Sequence, residues 1–449
     1  MIGYYTRLAL KSFHRTRALT LLMTASIAIG IAVSVVTVSL YHLLSGNPIW
    51  WKNDRLYAVT MDNWPPRSIL PAPPPGVNFD LGPAQLTYQD AMYLFASSVP
   101  ERKVIMYKAR GVLAGGTARS QPLRAMARVT SADFFAMFDV PFLFGTGWSA
   151  AADRTPEPLV VLSKAENEKL FGGTNSVGRT IRWNDRAFRI VGVLDDWLPR
   201  PKFYDINNGP VLPPEDVYMP WGWGTALALP TAGEVECLTL GPLKTYQDFL
   251  HSDCNWIQMW AELPHSSQRE RMQALMNAYW SEQHKRGRFR APMNNRLTQV
   301  GDWLAGHQVL GDDEHLLLIF GFSFFAVCIV NVVGLILAKF IGRAANTGLR
   351  RALGASRGTI VLQHVTETAV LALAGALIGL ALAECSMWVL AKVIALVNSN
   401  GTDASARMRF DTVSVLWAAL LTVIAAGTAG LYPAWRVARL PPASYLKSQ

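Results

Sequence analysis

Residues 316–391 constrain the fold most, because two long apolar runs enclose one basic segment there. Residues 316–338 carry no charge and are long enough to cross a ~30 Å hydrocarbon core as a helix. Residues 368–391 are apolar except for Glu384. Basic loops stay on the cytoplasmic side of a membrane, so the connector over residues 339–367 is predicted to face the cytoplasm. Its basic residues are Lys339, Arg343, Arg350, Arg351 and Arg357.

Two more apolar runs, residues 18–44 and 412–431, predict a first and a fourth span. Residues 1–17 are basic and free of acids, which is typical of an amphipathic helix on the cytoplasmic membrane surface. A cleaved signal peptide is the competing interpretation, but the first run exceeds the 7–15 residues of a signal core. We therefore expect a retained anchor. The tail, residues 432–449, is basic and is expected to be cytoplasmic.

The region between the first and second spans has no segment apolar enough to cross a membrane, so it predicts one large domain outside the cytoplasm. Amphipathic patterns predict helices over residues 87–98 and 266–284, and the Asn184-Asp185 pair predicts a hairpin turn. Strand–helix–strand patterns on both sides of a strand-rich middle indicate an α+β domain interrupted by an insertion. The fold class is thus a four-helix membrane protein with a large extracytoplasmic α+β domain.

Two of the four cysteines, Cys237 and Cys254, lie in the outer region. An oxidising compartment would allow a disulfide that closes a loop of about 16 residues and contributes ~3 kcal/mol. Two free thiols are the alternative, and we favour the bridge.

Known catalytic motifs do not occur in the sequence. It contains no G-x-x-x-x-G-K-[ST] phosphate loop, no H-E-x-x-H zinc motif and no G-x-S-x-G elbow, and its eight histidines are scattered. We expect no enzymatic activity, no metal site and no bound cofactor. The net charge of +10 falls largely beside the apolar runs, where topology demands it, so we expect no nucleic-acid partner.

The connector and the third span carry the features most suited to function. Gly354, Ala355 and Ser356 break the connector, and Ser356 is placed to cap a new helix. Such a helix could transmit motion from a cytoplasmic partner, or it could simply bind anionic lipid headgroups of the bilayer. Gly375 and Gly379 form a G-x-x-x-G motif that allows close helix approach, either to the fourth span or to a second copy.

Several motifs resemble one family. Residues 350–356 (RRALGAS) with Ile360, Gln363 and Glu367, and the tail motif YPAWRVARL at 432–440, resemble the FtsX-like permease module of the MacB family. Residues 129–148 and 169–196 are similar to that family's periplasmic core. One span, a large outer domain and then three spans is also the family's order.

The resemblance implies a type VII ABC transporter permease subunit in the bacterial inner membrane, which moves its periplasmic domain when an ATPase subunit binds and hydrolyses Mg-ATP. It implies a Porter-like subdomain (46–120 and 236–312, with ferredoxin-type halves) and an inserted, strand-rich Sabre-like subdomain (121–235). The connector would form the coupling helix that contacts the ATPase, through Gly348, Arg350, Arg351, Leu353, Gly354, Ser356, Arg357 and Gln363. Expected partners are a separate ATPase subunit, a second permease (the same chain or a different one), and a periplasmic adaptor with an outer-membrane channel.

The resemblance leaves the task open. Export of a periplasmic substrate is the leading expectation, lipoprotein extraction is a second, and regulation of a cell-wall hydrolase by an FtsX-like scaffold is a third. One departure is Asn346, where family members usually carry an acid two positions before the glycine that is Gly348 here. This departure points to pairing with a second, non-identical permease. In its absence, pairing with a second copy of the same chain would be expected, and a homodimer stays our default expectation.

Overall fold

The computed structural model describes residues 3, 13, 16–66, 79–115, 122–210, 212–237, 243–307, 312–342, 356–397 and 412–438. The chain divides into two compact units. One contains the long apolar helices, and the other runs from Leu43 to Gly311. Each unit has a hydrophobic core of its own.

Helices and strands are numbered in chain order within the described residues. The helices are α1 (Arg17–Ser45), α2 (Tyr88–Phe95), α3 (Asp133–Met137), α4 (Ala150–Arg154), α5 (Lys164–Phe171), α6 (Gly222–Ala226), α7 (Tyr246–Leu250), α8 (Ser266–Lys285), α9 (Val300–Gly306), α10 (Asp312–Ile341), α11 (Arg357–Val397) and α12 (Thr412–Ala438). The strands are β1 (Leu56–Thr60), β2 (Arg102–Ala114), β3 (Leu123–Thr130), β4 (Phe142–Gly145), β5 (Leu159–Leu162), β6 (Thr180–Trp183), β7 (Arg186–Leu194), β8 (Val217–Pro220), β9 (Gln258–Glu262) and β10 (Arg296–Gln299). Short 3₁₀ helices lie at Trp50–Lys52, Phe79–Leu81 and Phe203–Asn208.

Four of these helices, α1, α10, α11 and α12, are long and apolar enough to cross a membrane. This confirms the predicted class of a four-span membrane protein with an outer α+β domain. The third of these four helices, α11, begins at Arg357, well before the predicted span at residue 368. Its first turns are polar, but one face of them is buried. Ile360, His364, Glu367 and Thr368 are all buried and share that face.

The membrane unit packs all four helices around one core. Ile31 of α1, Phe325 of α10, Leu371 of α11 and Leu421 of α12 belong to the same buried cluster. The outward faces of the last three helices carry exposed large apolar side chains, which is what contact with lipid tails requires. Examples are Val330, Leu377 and Val423.

The outer unit contains two strand–helix–strand segments, β1–α2–β2 and β9–α8–β10. Their strands interleave in the order β10-β1-β9-β2, and every neighbouring pair is antiparallel. This order is the ferredoxin-like pattern. Apolar side chains of α2 and α8, including Leu94 and Met276, pack into the core on one face of this sheet.

The insertion between β2 and β9 continues the same sheet and closes it into a ring. β2 pairs with β3, β3 with β8, β8 with β5, β5 with β7, β7 with β6, and β6 returns to β2. Strand β2 therefore belongs both to the ferredoxin-like sheet and to the ring. The predicted Porter–Sabre boundary at residue 120 lies outside the described residues, between β2 and β3.

A hairpin turn and a glycine bring the ring together. Asn184 and Asp185 both adopt positive φ, 45° and 66°, which matches the twist of the flanking strands β6 and β7. Trp183, at the end of β6, is fully buried against β2. A Cβ atom on Gly111 would lie 2.3 Å from its ring, so only glycine allows this approach.

A buried charge network fastens the segment before β8 to the sheet. Arg128 on β3 forms ion pairs with Asp205 and Glu215, and all three side chains are 0–1% exposed. The Nζ atom of Lys202 lies 3.2 Å from Oε1 of Glu215, and Gln258 on β9 donates to Asp205 at 2.8 Å. Burial alone would raise the pKa of Glu215, but the attraction of Arg128 and Lys202 outweighs it and holds that pKa well below its usual range.

The outer unit also contains the disulfide that the sequence favoured. The sulfur atoms of Cys237 and Cys254 are joined, and the chain between them includes α7. Cys254 is 1% exposed, and Glu236 pairs with Asn255 beside the bridge through backbone hydrogen bonds. The bond thus ties the end of the insertion to the segment that enters β9.

Replacing Arg128 by methionine should lower the free energy of unfolding of the outer domain by about 3–5 kcal/mol, because two buried carboxylates lose their principal partner. The measurement is urea unfolding of the full chain in detergent, followed by tryptophan fluorescence. Arg182→Met is the matched control, since Arg182 is exposed and lies 3.7 Å from the exposed Asp185. Equal midpoints for the two variants would contradict the role given to the network.

Mass spectrometry should show that Cys237 and Cys254 resist alkylation in denaturant until a reductant is added. Cys328 and Cys385 are free thiols and serve as internal controls, because both should react without reductant. Reduction should shift outer-domain unfolding to lower urea, since the bridge contributes ~3 kcal/mol. Alkylation of all four cysteines without reductant would exclude the bond.

Candidate functional site

The beginning of α11 is the described part of the predicted coupling segment. The Oγ atom of Ser356 accepts a hydrogen bond from the backbone N–H of Thr359 at 3.2 Å. Ser356 is therefore the N-cap of α11, as the sequence predicted. From Arg357 the helix continues without interruption through the third span to Val397, a length of 41 residues.

The remaining predicted coupling residues are only partly described. Gly348, Arg350, Arg351, Leu353 and Gly354 lie outside the described residues. Arg357 occupies the first turn of α11, and Gln363 is partly buried two turns from the cap. Their role in contact with an ATPase stays a prediction.

The glycine pair in the third span packs against the first span. A Cβ atom on Gly375 would lie 2.7 Å from Cγ2 of Ile27, and one on Gly379 would lie 2.7 Å from the backbone oxygen of Ala28. The fourth span, one of the two neighbours that the sequence left open, contacts α11 elsewhere, where Gly430 approaches Thr368. That alternative is wrong for the glycine pair, because α1 occupies that face. A contact between two copies through these glycines would require α1 to move away.

Sequence reasoning missed an ion pair between the second and third spans. The Nζ atom of Lys339 in α10 lies 2.6 Å from Oε1 of Glu367 in α11, and the two side chains are 1% and 5% exposed. The ring of Phe13 lies 5.1 Å from the same Nζ atom. One position further along α10, the ring of Phe340 lies 3.9 Å from that of His364. We call Lys339, Phe340, His364 and Glu367 the inter-span contact.

A signal for this pairing was present in the sequence. Lys339 follows the last residue of one apolar run, and Glu367 precedes the first residue of the next. Two opposite charges at the same end of a predicted helical hairpin are natural partners, because a lone charge inside an apolar bundle is costly. The topology prediction counted Lys339 only as a cytoplasmic marker.

The described residues offer mechanical connections more readily than reactive groups. Among them, no cluster of three histidine, cysteine, aspartate or glutamate side chains could hold a metal ion. Four apolar helices long enough to span a membrane, with a large domain between the first two in sequence, define a multi-pass membrane protein.

Two family models match this chain. The MacB-like periplasmic core domain matches residues 20–279, which is more than half of the sequence, and the FtsX-like permease C-terminal region matches residues 318–442. The chain belongs to the MacB/FtsX-like permease family. Membership of an ABC transporter permease family implies an ATPase partner.

Curated relatives agree with this assignment. The macrolide export ATP-binding/permease protein MacB of Rhodopirellula baltica is 25% identical over 306 residues, which cover 64% of this chain and 40% of that protein. The pyoverdine export ATP-binding/permease protein PvdT of Pseudomonas aeruginosa is 23% identical over 317 residues, which cover 71% of this chain and 41% of that protein. The chain thus spans about two fifths of the length of these relatives.

Two solved structures are also similar. The extracellular domain of the noncanonic ABC-type transporter YknZ from Gram-positive bacteria matches 54% of this chain and 100% of its own length, at 10% identity and a TM-score of 0.34. The periplasmic region of MacB from Actinobacillus actinomycetemcomitans matches 58% of this chain and 92% of its own length, at 13% identity and a TM-score of 0.33. Family membership rests on the family models, since TM-scores of this size carry no argument.

Gly379→Leu should destabilise the membrane unit by about 1–3 kcal/mol, because the added side chain collides with the backbone of α1. The measurement is thermal stability in detergent, read by size-exclusion chromatography after heating. Gly427→Leu is the matched control, since nothing lies within 4 Å of a Cβ atom built there. If Gly379→Leu instead separated two copies and left the stability of each chain unchanged, packing against α1 would not be the role of this glycine.

Proposed function

We propose that this chain is the membrane-spanning subunit of a type VII ABC transporter. In this proposal a separate ATPase subunit binds and hydrolyses Mg-ATP at the cytoplasmic connector, and the chain converts that cycle into movement of its periplasmic domain. The proposal assigns nucleotide binding to that subunit, because residues 1–449 contain no G-x-x-x-x-G-K-[ST] loop. The two family-model matches support the assignment to this class.

The observation that carries the proposal is the continuity of α11. At about 1.5 Å per residue this helix is about 60 Å long, roughly twice the thickness of the hydrocarbon core. Its capped first turn lies within the connector, and the helix continues from there into the span, so a displacement of that turn reaches the span without an intervening flexible joint. A loop that only bound lipid headgroups would not need such a rigid extension.

We further propose that the transported material is a periplasmic substrate moved toward the cell exterior. Two relatives of the chain are named for macrolide export and for pyoverdine export. These names favour efflux over lipoprotein extraction and cell-wall regulation. A second permease, identical by default, a periplasmic adaptor and an outer-membrane channel would complete the assembly in the inner membrane.

Purification of the tagged chain from its native membrane tests the proposal. An ATPase subunit should co-purify, and the complex should hydrolyse ATP whereas the chain freed of that subunit should not. A co-purifying adaptor supports export, whereas a lipoprotein carrier or a cell-wall hydrolase would replace export by extraction or by wall regulation. Nucleotide hydrolysis by the isolated chain would overturn the proposal.

Reversing the charge of Arg350 and Arg351 together should uncouple ATP hydrolysis from movement of the periplasmic domain, because these residues precede the cap of α11 in the predicted ATPase contact. We expect the double variant to assemble less ATPase, or to hydrolyse ATP without any change in protease sensitivity of the periplasmic domain. Arg436→Glu with Arg439→Glu is the control, since it changes the charge equally in the predicted cytoplasmic tail. An unchanged nucleotide response in the Arg350/Arg351 variant would remove these residues from the coupling path.

A further inference from the structure

We infer that the inter-span contact positions the connector, by holding its two ends at one fixed separation so that α10 and α11 move together. Lys339 lies near the C-terminal end of α10, and Glu367 lies in the third turn of α11. The connector between these helices is therefore enclosed by the ion pair. The inference rests on the proposed function, because it assigns the contact a part in coupling.

The ion pair of Lys339 and Glu367 is buried. Both charges lie inside an apolar helical unit, where each would be costly alone and where their attraction is only weakly screened. A buried ion pair contributes little net stability compared with apolar side chains of similar size. It does fix the relative position of the two helices, since Nζ and the carboxylate must meet at one distance and in one register.

The inter-span contact joins the two helices at two points. Lys339 and Phe340 are adjacent on α10, whereas Glu367 and His364 lie three residues apart on α11 and so share a face. Two attachments, one ionic and one between rings, oppose rotation of one helix about the other as well as sliding along it. A single ion pair between flexible side chains would oppose both rotation and sliding less effectively.

Other helices pack against α11 around the inter-span contact. Thr368, next to Glu367, faces Gly430 of α12, so α11 is in contact with α12 at the same level. Two to three turns further along, Gly375 and Gly379 of α11 rest on α1. The beginning of α11 is thus fixed to α10 and α12, and its middle is fixed to α1. A displacement of the connector then has to enter the membrane unit as a movement of several helices.

The test uses the complete complex with its ATPase and compares three kinds of variant. Lys339→Met with Glu367→Leu removes the charges but keeps an apolar contact, so the complex should assemble and hydrolyse ATP. Lys339→Glu with Glu367→Lys exchanges the charges and should keep the pairing. The single variants Lys339→Met and Glu367→Leu each remove one charge of the buried ion pair and keep the other, and they should reduce the amount of folded complex in the membrane.

The readout is the labelling rate of one cysteine in the outer domain by a membrane-impermeant maleimide, with and without ATP and vanadate. Cys328→Ser and Cys385→Ser remove the native free thiols. The reporter is placed at the exposed position, among Trp50, Arg110 and Arg290, that responds most strongly to nucleotide in the otherwise unchanged chain. We expect the apolar pair to lose at least about fivefold of this response while hydrolysis continues, and the exchanged pair to retain most of it.

The outcomes separate the two proposals. If the reporter never responds to nucleotide in the otherwise unchanged chain, the proposed function fails and the inference fails with it. If that chain responds and the apolar pair responds equally, the proposed function stands and the inference is overturned. Loss of the response in the exchanged pair, with normal assembly and hydrolysis, would also overturn it, because pairing would then not be what matters.

Discussion

Hydrocarbon offers no hydrogen-bond partner to a peptide group, and the rest of this structure depends on that constraint. The backbone N–H and C=O groups of each apolar run must therefore hydrogen-bond to one another, so each run forms a helix. The chain crosses the membrane four times, and the long polar region between the first two crossings must fold on one side. The same constraint makes the few charged side chains inside the membrane unit informative. Lys339 and Glu367 are tolerated there because they satisfy each other.

In the outer domain, the insertion between β2 and β9 is joined to the ferredoxin-like sheet without a flexible linker at β2. Strand β2 continues from the ferredoxin-like sheet into the ring. The buried network around Arg128 adds a second connection, since Gln258 on β9 and Glu215 before β8 both reach the same group of charges. An insertion joined in this way is connected to the sheet at two places, through β2 and through the buried charges.

Local patterns in the sequence predicted local structure well. The apolar runs became the four spans, the Asn184-Asp185 pair formed its hairpin turn, and Ser356 capped its helix. The amphipathic pattern over residues 266–284 gave α8, with Met272, Met276 and Tyr279 buried as expected. Each of these depends on residues a few positions apart, which a single sequence displays directly.

What the sequence did not reveal were pairings between distant segments. The glycine pair indicated a close helix contact, but its spacing is equally suited to any partner helix, and α1 proved to be the one. The hairpin turn predicted the pairing of β6 with β7, but nothing in the four residues of β6 indicates that it also pairs with β2. The pairing of Lys339 with Glu367 was hidden by a second explanation, since basic residues beside a span are already accounted for by topology. Five of the eight predicted ATPase-contact residues lie outside the described residues, and their role stays a prediction: Gly348, Arg350, Arg351, Leu353 and Gly354.

The closed ring limits where a strand of another protein can add to this sheet. A strand with both backbone edges occupied cannot recruit a foreign strand, so β3, β5 and β8 are protected from the edge-to-edge association that leads to aggregates. Within the described sheet the two terminal strands are β10 and β4, each only four residues long. An extended peptide from another protein that sought to lengthen this sheet would have to join at one of those two short margins.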